Sequence, residues 1–197
     1  MPKWLPGGPV HPLPAGPVIH YLVTLWAGGS LHTDVRELRT QASPEALWAA
    51  LDRIGGVHGW YSARLLWQIR GNFDRLIGGV GLRRGRRNPD TLMVGDVVDF
   101  WRVEERIPPK LLRLRAEMKM PGRAWLEFTV REDPAGGLVL RQRAVYWPKS
   151  LMGHIYWWSI APFHAIVFPP MARHIIEQAE AGSPTTPGIS ADSKSIA

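Results

Sequence analysis

Hydrophobic and polar positions alternate with a period of two through much of the chain from Val97 onward. The pattern predicts strands over residues 97–107, 110–120, 123–132 and 138–147, since alternate side chains of a strand point to opposite faces of a sheet. The segments IPPK, PG and DPAGG between them are typical of hairpin connections. A shorter alternation predicts another strand over residues 34–40.

The period changes to that of a helix in three other segments. Ser43 and Pro44 are typical of an N-cap and a first turn, and Gly55-Gly56 predicts the end of that helix. Its apolar stripe consists of Leu47, Trp48, Leu51 and Ile54. A second helix is predicted over residues 63–77, ending at Gly78-Gly79, and further helical segments over residues 151–181.

The predicted order is a strand, two helices, an antiparallel meander and a C-terminal helix, which indicates an α+β fold. One face of the meander is apolar and needs a cover, and the C-terminal helix is the most apolar element available. A sheet wrapped around that helix leaves a cavity between them unless large side chains fill it. We expect a Pro/Gly-rich N-terminal arm over residues 1–32, one domain over 33–181, and a disordered tail over 182–197.

Charge and composition narrow the classes of partner. The 197 residues carry a net charge of +7, which favours acidic partners such as anionic lipid or phosphorylated ligands. The absence of cysteine excludes disulfides and thiol catalysis and is compatible with a reducing cytoplasm, which we expect as the location. Residues 150–172 contain no Lys, Arg, Asp or Glu, but their histidines and prolines favour a buried or interfacial helix over a membrane-spanning one.

Several long motifs resemble a known family. They are GWY at 59–61, RLIGGVGLRRGRRNP, VGDVVDFWRVE, LRLRAEMKMPGRAWLEF and QRAVYWPKSLMGHIYWWSIAPFH. Together with the element order, they resemble the SRPBCC (START-like, Bet v 1-like) superfamily and, more closely, the domain of unknown function 2867. The resemblance implies a helix-grip fold with a hydrophobic-ligand cavity. It implies no catalytic residues, and the epimerase-like NAD(P)-binding domain often fused to that family is not found here.

The segment GGVGLRRGRRNPD at 78–90 does not fit a phosphate-binding loop. A dinucleotide loop precedes its helix, whereas this segment follows one, and the spacing of a P-loop is also absent. Four arginines remain as candidate anion contacts: Arg83, Arg84, Arg86 and Arg87. We favour a solvated connection with Asp90 and Asp96 as partners, and nucleic acid is the least favoured reading because no aromatic residue is interleaved.

The sheet is predicted to have one charged and one apolar face. An outer ladder of salt bridges is the favoured interpretation of the charged face, and a polar cavity lined by Arg115, Glu117, Glu127 and Arg143 is the alternative. The apolar face and the aromatic residues facing it are predicted to bind a ligand: Trp60, Tyr61, Trp67, Phe73, Leu114, Ala116, Met118, Leu126, Phe128, Leu140, Gln142, Ala144, Tyr146, Trp157 and Trp158.

Few polar residues interrupt this apolar lining. Gln142 and Tyr146 are candidates to orient a ligand, although they could instead bond to backbone or to helix side chains. His154, His164 and Tyr146 are weak candidates for catalysis, and a structural role is favoured for each histidine. The histidine spacing does not suit a metal, and no cofactor is predicted.

Three functions follow from the sequence. The favoured hypothesis is binding of a small hydrophobic molecule such as a lipid, polyketide or isoprenoid-like compound in the cavity. The first alternative is a cyclase or isomerase acting on a hydrophobic intermediate there. The second is a protein peripheral to an anionic membrane, with the arginine segment and the C-terminal aromatic residues at its surface.

Overall fold

The computed structural model describes residues 31–55, 72, 75, 76, 78 and 87–183. Within these residues, six antiparallel strands form one sheet in the order β1-β6-β5-β4-β3-β2. The strands are β1 (His32–Thr40), β2 (Val97–Val98), β3 (Trp101–Ile107), β4 (Leu111–Ala116), β5 (Gly122–Glu132) and β6 (Leu138–Pro148). The helices are α1 (Pro44–Asp52) and α2 (Leu151–Gly182).

The prediction of one strand over residues 97–107 was wrong, because the structure has two strands there, β2 and β3. The chain turns at Asp99, whose φ of 56° lies in the left-handed region, and β2 folds back on β3 with Val98 opposite Trp101. The predicted strand over 110–120 is also shorter in the structure. Its pairing with β5 ends at Arg115 opposite Trp125, and the strand ends at Ala116, after which the Glu117 amide donates to the Phe100 carbonyl oxygen at 2.8 Å.

Helix α1 begins as the sequence predicts. The Ser43 hydroxyl accepts a hydrogen bond from the amide of Ala46 at 3.2 Å, and Pro44 occupies the first turn. The apolar stripe is buried, with Leu47, Leu51 and the following Ile54 inaccessible to solvent. The second helix, predicted over residues 63–77, lies almost entirely outside the described residues.

Helix α2 is a single element of 32 residues that contains Pro162, Pro169 and Pro170. Its C-terminal half packs into the core through buried apolar side chains: Val167, Phe168, Met171, Ile175 and Ala179. The Thr40 hydroxyl donates to the Glu180 carboxylate at 2.7 Å, which ties the end of β1 to the end of α2. None of the helices in the described part of the chain is long and apolar enough to cross a membrane.

The sheet and α2 together give the α+β helix-grip fold that the sequence predicts. The inner face of the sheet is filled at one end by large buried side chains: Leu112, Leu114, Leu126, Phe128 and Leu140. Toward the other end, one member of each inward pair on β5 and β6 is an alanine: Ala124 lies opposite Tyr146, and Ala144 lies opposite Leu126. Space is therefore left between the sheet and the N-terminal half of α2.

The charged face of the sheet carries a ladder of ion pairs, which is the interpretation that the sequence favours. One member of the ladder, Glu127, is buried. The Glu127 side chain is only 4% exposed. It accepts hydrogen bonds from the Nε atoms of Arg113 and Arg143, directly opposite on the two neighbouring strands, at 2.8 and 2.7 Å. Two guanidinium groups thus compensate the carboxylate for its loss of water.

Candidate functional site

A cavity of about 280 Å³ lies between the sheet and the N-terminal half of α2. Its walls are mostly aromatic and aliphatic. The sheet and the segments joined to it contribute Trp101, Met118, Met120, Ala124, Trp125, Ala144, Val145 and Tyr146. Helix α2 contributes Tyr156, Trp157, Ser159, Ile160, Phe163, His164 and Phe168. None of these described lining residues is Asp, Glu, Lys or Arg, so the site suits an uncharged molecule.

Tyr146 is held at the sheet wall by its neighbours on both sides. It lies on β6 and is 1% exposed, and its ring stacks on the indole of Trp157 with 5.8 Å between centroids and 10° between planes. A β-carbon at Gly122 would lie 2.6 Å from the Tyr146 hydroxyl, so this approach requires glycine. Burial raises the pKa of Tyr146 well above its usual value, so the phenol stays protonated.

The Tyr146 hydroxyl has no hydrogen-bond partner among the described residues. An unpaired hydroxyl shielded from water costs about 1–3 kcal/mol. Folded proteins rarely leave such groups unsatisfied unless water or a ligand supplies the partner. Tyr146 therefore carries an unmet hydrogen bond in the wall of the cavity.

His164 is the second polar group of the cavity. Its ring lies edge-on to Trp157, with centroids 5.0 Å apart, and 4.6 Å from the centroid of Phe168. Burial, the largest influence, lowers the pKa of His164 to about 4, with Arg36 also lowering it and Asp34 opposing them. The ring is therefore neutral at pH 7, and its Nδ1 is inaccessible to water without a partner among the described residues.

The third candidate for chemistry, His154, lies beside the cavity and not in its wall. Its Nδ1 is 2.8 Å from Nε2 of His32 at the start of β1, and the His32 ring is stacked on Trp157. Burial, followed by the influence of His154, lowers the pKa of His32. The pair links β1 to the first turn of α2, which fits a structural role.

Gln142 is 1% exposed and lies one inward position further along β6 from Ala144. It does not line the cavity. Neither its amide nitrogen nor its amide oxygen has a partner in the described part of the chain. The sequence left open that Gln142 and Tyr146 bond to backbone or to helix side chains. Among the described residues, neither side chain has such a partner.

The remaining residues predicted to bind a ligand divide into three groups. Met118, Ala144, Tyr146 and Trp157 are brought together in the cavity wall. The core holds Leu114, Leu126, Phe128 and Leu140, with Ala116 packed against it. Trp158 is 67% exposed on the outer side of α2 and does not line the cavity.

Other predicted contacts fall outside the described residues: Trp60, Tyr61, Trp67, Phe73, Arg83, Arg84 and Arg86. The one described arginine of the basic segment, Arg87, is 3.1 Å from the Asp96 carboxylate. Asp96 is one of the two carboxylate partners that the sequence suggests for this segment. In the described ranges, no group of three or more His, Asp or Glu side chains is placed to hold a metal ion.

Several lining residues were not predicted: Trp101, Met120, Ala124, Trp125, Val145, Ser159, Ile160 and Phe168. Strand alternation already places Met120 and Ala124 on the apolar face with Met118. Helical spacing from Trp157 would have selected Ile160 and His164 on one side of α2. No local pattern identifies Trp101, because its position depends on the turn at Asp99.

The architecture and the site define a helix-grip protein with an apolar internal cavity. The chain belongs to the family described as protein of unknown function DUF2867, whose model matches residues 26–171. The family resemblance of the sequence motifs is thereby confirmed. Among curated proteins, none matches the chain.

Solved structures of similar arrangement include three of different origin. Protein MLL2253 from Mesorhizobium loti has 17% identity and a TM-score of 0.45, over 78% of this chain and 100% of that one. A major latex protein family member from Arabidopsis thaliana has 15% identity and a TM-score of 0.43, over 79% and 98%. The di-domain ARO/CYC protein BexL of the BE-7585A biosynthetic pathway has 10% identity and a TM-score of 0.45, over 85% and 54%.

Proposed function

We propose that the protein binds a small, uncharged, largely apolar molecule that carries at least one hydrogen-bonding oxygen. The observation that carries this proposal is the pairing of an aromatic-walled cavity with two unpartnered polar atoms, the Tyr146 hydroxyl and His164 Nδ1. Small-molecule sites commonly combine apolar walls with a few polar groups that fix orientation.

The charge of the ligand follows from the lining. With a neutral phenol, a neutral imidazole and no ionised group among the described lining residues, a carboxylate or ammonium would lose its water without compensation. A carbonyl or hydroxyl oxygen could accept from Tyr146 and would remove the cost of its unpaired hydroxyl. The cavity thus supports a polyketide- or isoprenoid-like compound over a fatty acid.

A cyclase or isomerase acting in the same cavity is the alternative, and His164 is the group that would carry it. General acid–base catalysis is most efficient when the pKa lies near the working pH. The pKa of His164 is about 4 and that of Tyr146 is raised, so neither exchanges protons readily at pH 7. Binding is therefore the better-supported function.

Native mass spectrometry of the purified protein, compared with the denatured protein, is the first test. We expect an additional mass in the native spectrum alone, and its value would identify the ligand class. Titration with naphthol and naphthalene then separates the two parts of the proposal. Naphthol should bind about five-fold more tightly, since one neutral hydrogen bond contributes about 1 kcal/mol. Failure of both to bind would overturn the cavity function, and equal affinity would overturn the role of the polar atoms.

A further inference from the structure

The outer side of α2 carries a row of exposed apolar side chains that the proposed cavity does not use. Leu151, Ile155, Trp158 and Ile166 follow one another at helical spacing, and Met152 lies beside them. These five residues, defined here as the outer helix surface, are between 48% and 67% exposed. Contiguous apolar surface of this kind typically marks a binding site for a protein or a membrane.

Charge around the outer helix surface favours a membrane. The surface lies within residues 150–172, which contain no Asp, Glu, Lys or Arg. Exposed cations border this stretch at both ends, Lys149 before it and Arg173 after it, and Arg173 follows Ile166 at helical spacing. The whole chain has a net charge of +7. Apolar side chains and tryptophans flanked by cations suit an anionic lipid surface.

We propose that the outer helix surface docks the protein on an anionic bilayer, with α2 lying in the plane of the interface. Leu151, Ile155 and Trp158 then enter the boundary between headgroups and acyl chains, while Lys149 and Arg173 contact lipid phosphates. The arrangement lies on the membrane and does not cross it.

The cavity lies on the other side of the same helical turns. Tyr156, Ser159 and Phe163 line the cavity, whereas Ile155 and Trp158 are exposed. Docking through these turns brings the cavity wall next to a reservoir of apolar molecules. This consequence rests on the proposed ligand-binding function, but docking itself does not.

Vesicle flotation with the full chain tests the proposal. The vesicles contain phosphatidylcholine alone, or equal parts of phosphatidylcholine and phosphatidylserine. We expect the protein to float with the anionic vesicles and to remain largely free with the neutral ones. The double variant I155E/W158E should reduce the bound fraction at least ten-fold, since it places two carboxylates in the interface. Reversal of the flanking cations in K149E/R173E should weaken binding to the anionic vesicles alone by about ten-fold or more, at about 1 kcal/mol for each cation.

The matched control is M93E/V94E. Met93 and Val94 are 55% and 63% exposed and lie outside the outer helix surface, so this variant changes the net charge equally without altering the surface. It should float nearly as well as the original chain. Circular dichroism of the I155E/W158E variant shows whether its fold is intact, and the naphthol titration shows whether its cavity still binds, so failure of docking and failure of ligand binding are told apart.

Three outcomes would overturn the proposal. The original chain could fail to float with either vesicle. It could float equally well with and without I155E/W158E, which would assign membrane binding to cations elsewhere in the chain. It could remain unbound but self-associate with increasing concentration, with I155E/W158E abolishing the association, which would make a second copy the occupant of the surface.

Discussion

The phenol ring of Tyr146 on β6 lies nearly parallel to the indole of Trp157 on α2, at 10° and with 5.8 Å between centroids. This contact joins the two walls of the cavity and holds the Tyr146 hydroxyl where the described residues offer it no partner. Aromatic pairs of this kind contribute about 0.5–1.5 kcal/mol beyond the area they bury. The stacking therefore both supports the fold and fixes the position of a polar group.

Removal of that hydroxyl should weaken ligand binding and raise the free energy of unfolding of the unliganded chain by about 1–3 kcal/mol, because the unpaired buried hydroxyl is gone. In the variant Tyr146→Phe the ring and its stacking are retained. We expect naphthol to bind about five-fold more weakly, with naphthalene unchanged, because one hydrogen bond to the ligand is lost. Isothermal titration of both compounds measures the difference. An unchanged naphthol affinity would show that the Tyr146 hydroxyl does not contact the ligand.

The space for Tyr146 depends on Gly122. In Gly122→Ala the new methyl group would meet the Tyr146 hydroxyl at 2.6 Å and the Trp147 carbonyl oxygen at 2.5 Å. We expect a loss of about 1–3 kcal/mol in the free energy of unfolding, as is usual for overpacking. Urea denaturation of this variant and of Gly182→Ala measures it. Gly182 has no atom within 4 Å of such a methyl group, so equal effects would contradict the role of close approach.

The neutral His164 makes stability depend on pH. Its folded pKa of about 4 lies below the unfolded value near 6.5, so the unfolded chain binds the proton more tightly. Stability therefore falls as the pH falls from about 6.5 toward 4, and the contribution of this group should reach about 2–3 kcal/mol by pH 4.5. This loss of stability is absent above pH 7, where His164 is neutral in both the folded and the unfolded chain.

Urea denaturation of the original chain and of His164→Gln, at pH 7.5 and at pH 4.5, isolates this contribution. Other groups titrate in both proteins, so the difference between the two pH dependences reports on His164. We expect the variant to lose about 2–3 kcal/mol less than the original chain on acidification. Parallel pH profiles would show that His164 is hydrated and not buried as described.

The buried carboxylate of Glu127 should be the most sensitive member of the charged face. In Glu127→Ala the guanidinium groups of Arg113 and Arg143, 16% and 21% exposed, lose their shared partner. Removal of one member of a buried ion pair costs about 3–5 kcal/mol, and we expect the lower end of this range because Arg113 keeps Glu105 as a second partner. Glu37→Ala is the control, because Glu37 is 44% exposed and also forms ion pairs with two arginines, so its loss should cost under about 1 kcal/mol. Thermal denaturation should separate the two variants clearly, and similar melting temperatures would contradict the burial of Glu127.

The sequence by itself determined the type of nearly every described element, because alternation and helical spacing are local properties of the chain. It placed Leu126, Phe128 and Leu140 on the inward face of the sheet, and Ser43 at the start of α1. The long motifs also determined the family. It could not distinguish Trp157 from Trp158, since both lie in a helical segment without a charged residue to mark its outer side.

The tertiary structure decided where the cavity lies and which groups stand in it. Ala124 and Ala144 come close to α2 only through cross-strand pairing and the rotation of the helix, which no single segment encodes. The same pairing places Glu127 between two arginines from different strands. The isolated positions of the Tyr146 hydroxyl and His164 Nδ1 likewise depend on every neighbour, because a polar atom is unpartnered only when all surrounding elements fail to reach it.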